Sequence, residues 1–396
     1  MKDNRVDVLI VGAGPTGMLM AAEVARYGLS CRIIDKGVAC QDQSRAVAIQ
    51  ARTMEIFEHL GFAEAFLAEG LRLKVGNPIC SFHKLGRISF DTLDSSYPFI
   101  LSLEQVKTEE ILEQYLISFG VKIERGVEFL RMKQREEDVE VVVAHTTSGQ
   151  EETIQATWVV GCDGAHSQVR KQLNLAFEGK PLLGIFSLAD VRIHWDYPID
   201  ELFVFLDAIG ALAAIPLPEP KRYRLIFQLE RCRNLLKERH SLPNGQLKEQ
   251  IVAKPQLKEV QELLCKHTGS YVLVSDPLWC ANFCINSRMV ETYQKGSVFL
   301  AGDAAHIHSP VGGQGMNTGL QDAFNLAWKL ALVHNKQAGK KLLDTYDLER
   351  RSVAKKLLQA TEIASQIATL QNRVAIALRN AAIFCLTRIS FCRDIW

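Results

Sequence analysis

No long apolar run, no paired-cysteine motif and no charge excess mark this chain of 396 residues. Without a stretch of roughly 18 or more apolar residues, no membrane-spanning helix is expected. The start has no signal-peptide layout, because Asp3, Arg5 and Asp7 interrupt it ahead of a glycine-rich turn. Ten cysteines are scattered without a C-x-x-C pair. That reads as reduced thiols in a cytoplasmic protein, not as a disulfide scaffold. Lys plus Arg is 46 against 45 Asp plus Glu, so a net charge of +1 gives nucleic acid no footing. The one local bias is late: Lys329 to Trp396 holds 12 basic and 5 acidic residues. Repeats and low-complexity segments are also missing, and 47% hydrophobic residues leave ample material for a buried core.

What is present begins with a short buried strand, Val6 to Val11 (VDVLIV). Gly12, Gly14 and Gly17 follow as G-x-G-x-x-G, ahead of a helical stretch from Met18 to Tyr27. Gly28 ends that helix, and Leu29 to Asp35 reads as a second strand, completing a βαβ unit. Glycine allows the tight turn and close backbone approach to a pyrophosphate, and the helix start offers unpaired N–H groups and a positive dipole end. Asp35 ends the second strand, where a carboxylate accepts hydrogen bonds from ribose hydroxyls. Dinucleotide binding is expected, but this motif alone does not separate NAD from FAD.

Two later segments return to the same pattern. Thr157 to Cys162 is a buried strand ending in Asp163-Gly164, and Ser297 to Ala301 leads into GDAAHIHSPVGGQGMN, Gly302 to Asn317. Asp303 would stand at a sheet edge facing a ligand crevice. Gly312, Gly313 and Gly315 open a helix whose start is a second site for negative charge, suited to the N1–C2=O edge of a reduced flavin. From about Gly179 to Phe283 the texture is that of a separate sheet-rich domain. Its apolar candidates for a substrate pocket are Phe186, Phe203, Phe205, Leu212 and Phe227.

Three segments together, VGAGPTG (Val11 to Gly17), GCDGAHSQVR (Gly161 to Arg170) and GDAAHIHSPVGGQGMN, resemble the signatures of the class A FAD-dependent aromatic monooxygenases, the family of para-hydroxybenzoate hydroxylase. SRAVAIQARTMEIF (Ser44 to Phe57) is similar to the branch that hydroxylates phenols and polyketide aromatics. The resemblance runs over about residues 4 to 360.

It implies an α/β fold: a Rossmann-like FAD-binding domain of the glutathione-reductase type, an inserted β-sheet substrate domain and a C-terminal helical tail. The expected boundaries are 1–72, 98–178 and 283–360 for the FAD domain, 73–97 and 179–282 for the insert, and 361–396 for the tail. Gly12, Gly14, Pro15, Thr16 and Gly17 would hold the FAD pyrophosphate, with Asp35 and Lys36 at the adenosine ribose. Arg45 and Gln105 would line the site. Asp163 and Gly164 would sit near the pyrophosphate and the nicotinamide's route, and Asp303 near the ribityl chain or pyrophosphate. Pro310 would lie against the flavin ring, with Gly313, Gly315, Met316 and Asn317 toward its pyrimidine edge.

NADPH or NADH would bind transiently, since no second G-x-G-x-x-G occurs. The implied reaction hydroxylates a phenolic or polyketide-like ring with O2 through a flavin C4a-hydroperoxide. No catalytic base can be named. Two departures are noted: Asp35 stands where Glu is commoner, and the thioredoxin-like C-terminal domain of phenol-hydroxylase relatives finds no room in this length. A quinone-biosynthesis-type hydroxylase, another flavin-linked reductase and a non-catalytic FAD-binding protein stay open as alternatives.

His306 and His308 suggest a metal pair or a catalytic base, but no third ligand lies nearby, so packing beside the glycine-rich loop is expected and no metal. Cys280 and Cys284 have the spacing of one helical face, but core or surface thiols are expected rather than a redox pair. Ile363, Ile367, Leu370, Val374 and Leu378 share helical spacing, expected to pack on the FAD domain, with a dimer or peripheral-membrane contact as the other readings. A monomer or a homodimer is equally compatible with the sequence.

Overall fold

The structure, a computed structural model, describes residues 4–39, 46–229 and 253–388, without the side chains of 181–184. The chain divides into two compact units. The first is Met1–Ala46, Glu104–Lys180 and Ser287–Ala360, and the second is Val47–Leu103, Pro181–Asn286 and Thr361–Trp396.

The first unit is built on the β-branched runs seen in the sequence. Arg5–Val11 lies between Cys31–Asp35 and Glu151–Gly161, parallel to both, and Val298–Leu300 adds a further parallel strand beside Glu151–Gly161. Ile123–Arg125 extends the sheet on the far side of Cys31–Asp35, and the hairpin of Val127–Gln134 with Val139–His145 joins the other edge. Val8, Leu9, Ile10, Val159, Val160 and Val298 to Leu300 are fully buried. Burial on both faces is why these strands read as continuous apolar runs and not as alternation.

Register brings the strand ends level with one another. Val11 pairs with Ile34 and Gly161, and Gly161 pairs with Leu300. Four strands therefore end together at their carboxyl ends, with each motif in the turn just beyond. The helix Pro15–Arg26 starts there, with Pro at its first turn, and buries Met18 to Val24.

The second unit is centred on a mostly antiparallel sheet. Glu201–Asp207, Gly210–Pro216 and Arg222–Phe227 form a meander, flanked by Val75–Cys80 on one side and the Phe177–His194 strand on the other. A small sheet of Ala48–Ile49, Ile100–Ser102 and Leu71–Leu73 belongs to the same unit, tied to the meander where the Ser102 hydroxyl donates to the Pro216 carbonyl at 2.6 Å.

The observed division departs from the expected boundaries chiefly in two places. Residues 47–72 and 98–103 fall in the second unit, because their short strands pair with each other there. The helical tail falls there too, not in a separate body. The guanidinium of Arg379, on the helix Arg373–Leu386, donates to the Leu206 carbonyl.

Two further readings are corrected. Cys280 and Cys284 lie on the strand Leu273–Val290, not on a helix, though they pack against the sheet core as core thiols do. In the tail, Ile363, Ile367, Val374 and Leu378 are exposed rather than packed, while Thr361, Ser365 and Arg379 take the buried positions. No described helix is long and apolar enough to cross a membrane.

Candidate functional site

The three motifs meet at one edge of the first unit's sheet. Gly12 has φ +103°, and a Cβ built on it would stand 2.4 Å from the Cys162 carbonyl oxygen. A Cβ on Gly17 would stand 1.9 Å from the Gly12 carbonyl oxygen. Both positions thus exclude any side chain, since the backbone atoms they would strike cannot swing away. Gly14 differs: nothing lies within 4 Å of a Cβ there, so the turn is open on that side.

Asp35 is held in place by this turn. Its Oδ2 accepts from the Ala13 N–H at 2.7 Å and its Oδ1 from the Gly37 N–H at 2.7 Å. Lys36 is exposed beside it. Gln105 begins the helix Gln105–Ser118, accepting from the Ala46 N–H at 3.2 Å and donating to Glu109 at 2.8 Å. Burial, with Asp35 close by, holds the Glu109 carboxyl above its ordinary range. Arg45 lies outside the described residues.

In the second motif, Asp163 Oδ2 accepts from the Gln168 and Val169 N–H groups at 2.6 and 3.2 Å, capping the short turn Gln168–Gln172. Burial raises its carboxyl pKa against those bonds. Gly164 follows at φ +76° with open space at its Cβ position.

The third motif packs directly on the first. Thr16 Oγ1 would be 2.8 Å from a Cβ on Gly302 and 2.3 Å from one on Gly319, so this hydroxyl fills the room both glycines leave. Gly302 turns at φ +58°, and Asp303 stands exposed after it. Gly312 and Gly313 carry positive φ, and a Gly313 N–H to Pro310 carbonyl bond of 2.9 Å closes the loop. The Asn317 side chain donates to the Gly313 carbonyl at 2.7 Å, and the helix Gly315–His334 begins with Gly315 and Met316.

His306 and His308 are engaged separately. His306 Nε2 bonds Asp322 at 2.7 Å, and His308 Nδ1 bonds the Ser309 carbonyl at 2.8 Å. Burial lowers the His308 pKa, so that imidazole is neutral and Nδ1 is the donor.

A family profile described as an FAD binding domain matches residues 5–361. The chain belongs to the class A FAD-dependent aromatic monooxygenases. Two curated relatives and one solved structure illustrate the breadth. The chain is 36% identical over 376 residues to 6-methylpretetramide 4-monooxygenase of Streptomyces rimosus, a match covering 93% of this chain and 63% of that protein. It is 35% identical over 366 residues to rifampicin monooxygenase of Streptomyces venezuelae, covering 91% and 71%. Anhydrotetracycline hydroxylase from Streptomyces rimosus shares the fold at a TM-score of 0.79 and 32% identity, covering 99% of this chain and 74% of that one. The chain therefore spans under two thirds of the length of the first relative.

The sheet edge of this family member fits FAD on its own geometry. Gly12 and Gly17 let the turn close tightly on its own backbone, while Gly14 leaves one side of it open for a pyrophosphate. The helices beginning at Pro15 and Gly315 both lack a side-chain cap and an acid in their first turn. Uncapped helix starts favour negative charge.

Sequence reasoning missed three groups here. Arg170 donates to the carbonyls of Ala304 (2.9 Å) and Ala165 (2.8 Å) and lies 3.9 Å over the Phe177 ring, tying the second motif to the third. Asp322 and Arg350 are buried beneath the Gly302 turn. Only the third glycine-rich segment hinted that something must hold that turn.

The second unit's candidates sort by face. Phe203, Phe205, Leu212 and Phe227 are fully buried in the core that also holds Val260 and Leu264 of the helix Leu257–Thr268. Phe186 stands apart, with Ile226, Phe283 and Ile285. The alternate positions Val204, Ala213 and Ile226 form a cross-strand row by register and are half-buried.

Proposed function

We propose that this protein is an FAD-dependent monooxygenase that hydroxylates a phenolic or polyketide-like aromatic ring with NAD(P)H and O2. The observation carrying this reading is the convergence of three separated motifs on one sheet edge, where Gly12 and Gly17 admit no side chain. When bound, FAD supplies the hydride acceptance and oxygen activation. The chain's residues bind and orient. Gly12 to Gly17, with Pro15 and Thr16 starting the helix, would hold the pyrophosphate, and Asp35 with Lys36 the adenosine ribose. Gln105, Arg45, Asp163 and Gly164 would border the site. Asp303 would accept hydrogen bonds from hydroxyls on the flavin side. Pro310 would lie against the flavin ring, and beyond Gly313 the backbone N–H groups of Gly315, Met316 and Asn317 would face its pyrimidine edge, favouring negative charge there.

For the aromatic ring, the row Val204, Ala213 and Ile226, with Phe186, offers an apolar floor. Phe203, Phe205, Leu212 and Phe227 serve the core beneath it. The 6-methylpretetramide and anhydrotetracycline named for the two Streptomyces rimosus enzymes motivate extended aromatic substrates for this chain as well.

The test is direct. Purified protein should release FAD and not FMN. It should oxidise NADPH or NADH faster when phenolic or polycyclic aromatics are added, with a product heavier by one oxygen atom. Retained FAD with no stimulated NAD(P)H oxidation across such a panel would leave the non-catalytic flavoprotein. Absence of FAD after reconstitution would remove the reading altogether.

A further inference from the structure

Beneath the Gly302 turn lies a cluster of charged groups that the proposed chemistry does not use. Asp322 is fully buried, His306 is 1% exposed and Arg350 is 8% exposed. Asp322 Oδ2 accepts from the Gly302 N–H at 3.1 Å and from His306 Nε2 at 2.7 Å, while Oδ1 accepts from Arg350 Nε at 2.7 Å. Arg350 also donates to the Thr318 carbonyl at 3.3 Å. The His306 ring stacks on Tyr293, centroids 5.7 Å apart at 15°. A carboxylate only accepts, so the His306 proton sits on Nε2, and its Nδ1 has no hydrogen-bond partner among the described residues.

Burial of a carboxylate is expensive unless its lone pairs are met. Here three donors come from three places: the turn after Val298–Leu300, the short strand His306–Ile307, and the helix Lys341–Ala368. Burial raises the Asp322 pKa, but His306 and Arg350 outweigh it and keep the carboxyl ionised. Asp322 itself sits on Gly315–His334, two turns past the helix start. One carboxylate thus fixes the spacing between the Gly302–Asp303 turn and the glycine-rich helix start.

We propose that Asp322, His306 and Arg350 are positioning residues for the cofactor, acting through the Gly302 N–H to set where Asp303 stands relative to the Gly315 helix start. This rests on the reading that Asp303 and that helix start bind FAD. A buried ion cluster serving only stability could be placed anywhere in the core. This one bonds the backbone of the residue preceding Asp303, in a turn that only a left-handed glycine conformation allows.

The experiment compares FAD dissociation constants and apoprotein melting for wild type, His306→Gln and His306→Leu. Gln keeps an N–H donor for Asp322 and Leu does not. We expect His306→Leu to weaken FAD binding about tenfold or more, as loss of a bond to a charged group should. His306→Gln should stay within about threefold of wild type, and the loss in His306→Leu should persist at temperatures well below the melting point of either apoprotein, where both variants are folded. Equal FAD affinities for the Leu and Gln variants, or a loss that merely tracks the melting temperature, would overturn the proposal. If His306→Leu does not fold, Arg350→Lys replaces it, with about tenfold weaker FAD expected and unchanged affinity overturning the proposal. Failure of the wild-type apoprotein to take up FAD is a separate outcome. It sinks the underlying FAD reading, whereas wild-type uptake with indifferent variants sinks only the positioning role.

Discussion

The two units of this chain encode their important positions differently. In the first, the decisive residues are glycines, and what fixes them is backbone: carbonyl oxygens 1.9 and 2.4 Å from where a Cβ would be. In the second, the decisive distinction is which face of a strand a side chain takes, and what fixes it is register. Backbone sterics tolerate no substitute, whereas a packed face tolerates many at graded cost. The first kind of constraint leaves an unmistakable trace in sequence, and the second leaves an ambiguous one.

The comparison can be broken most sharply at Gly17. Gly17→Ala adds one methyl against the Gly12 carbonyl, and FAD retention should fall by about a hundredfold or more, roughly 3 kcal/mol. Flavin content after purification and a fluorescence titration check it. Normal affinity would mean that the turn relaxes and that the steric account is wrong.

The second unit should answer through stability instead. Phe205→Ala empties the core face and should cost about 3 to 5 kcal/mol in urea unfolding. Ala213→Leu, one strand over on the half-buried face, should cost under about 1 kcal/mol while raising KM for a bulky aromatic. A reversal of these two outcomes would exchange the faces and move the substrate to the other side of the sheet.

A smaller effect separates the exposed acid from the glycines around it. Asp303→Ala should weaken FAD by about ten- to a hundredfold, the worth of one charge-assisted hydrogen bond at roughly 1.5 to 3 kcal/mol. Unchanged affinity in a folded variant would take Asp303 out of the site.

The mildest test uses pH. Asp207 accepts from His267 at 2.7 Å and from the Ser81 N–H at 2.6 Å. Burial pushes its carboxyl up, but His267 and the Ser81 amide hold it below the ordinary 3.8. A depressed carboxylate stabilises the fold above that ordinary value, and its share is lost as pH falls below it. Urea midpoints should therefore decline below about pH 4, and Asp207→Asn should flatten that decline. An identical acid profile in the variant would assign the decline to other carboxylates.

How much of this could be read from the chain alone tracks the same division. Gly12, Gly14, Gly17, Asp35 and Asp303 were legible because each adjoins a buried strand, and local order sufficed. Thr16 was legible as part of a motif but not as the group that fills the space of Gly302 and Gly319, residues nearly 300 positions away. Asp322 and Arg350 gave no signal, since an acid and a base 28 residues apart on separate helices become partners only by packing. Leu202 to Leu206 is apolar at every position. A strand there has two faces, but with no polar residue to mark one, nothing tells which is core. The tail misled for a related reason: helical spacing marked a stripe, but Arg379 and not the aliphatic residues is what the fold buries.

The Thr16 hydroxyl carries a consequence for how this sequence can change. It occupies the volume that Gly319 leaves, so Gly319→Ala alone should be rejected while Thr16→Ala alone leaves only a small gap. Once position 16 has shrunk, a methyl at position 319 no longer meets the hydroxyl, and its tightest neighbour is the Gly302 Cα at 3.2 Å, which must give slightly. The two substitutions commute on paper but not in a lineage: one order passes through a viable protein and the other does not. The contact therefore acts as a ratchet on drift, and a library built at both positions should return survivors along one path.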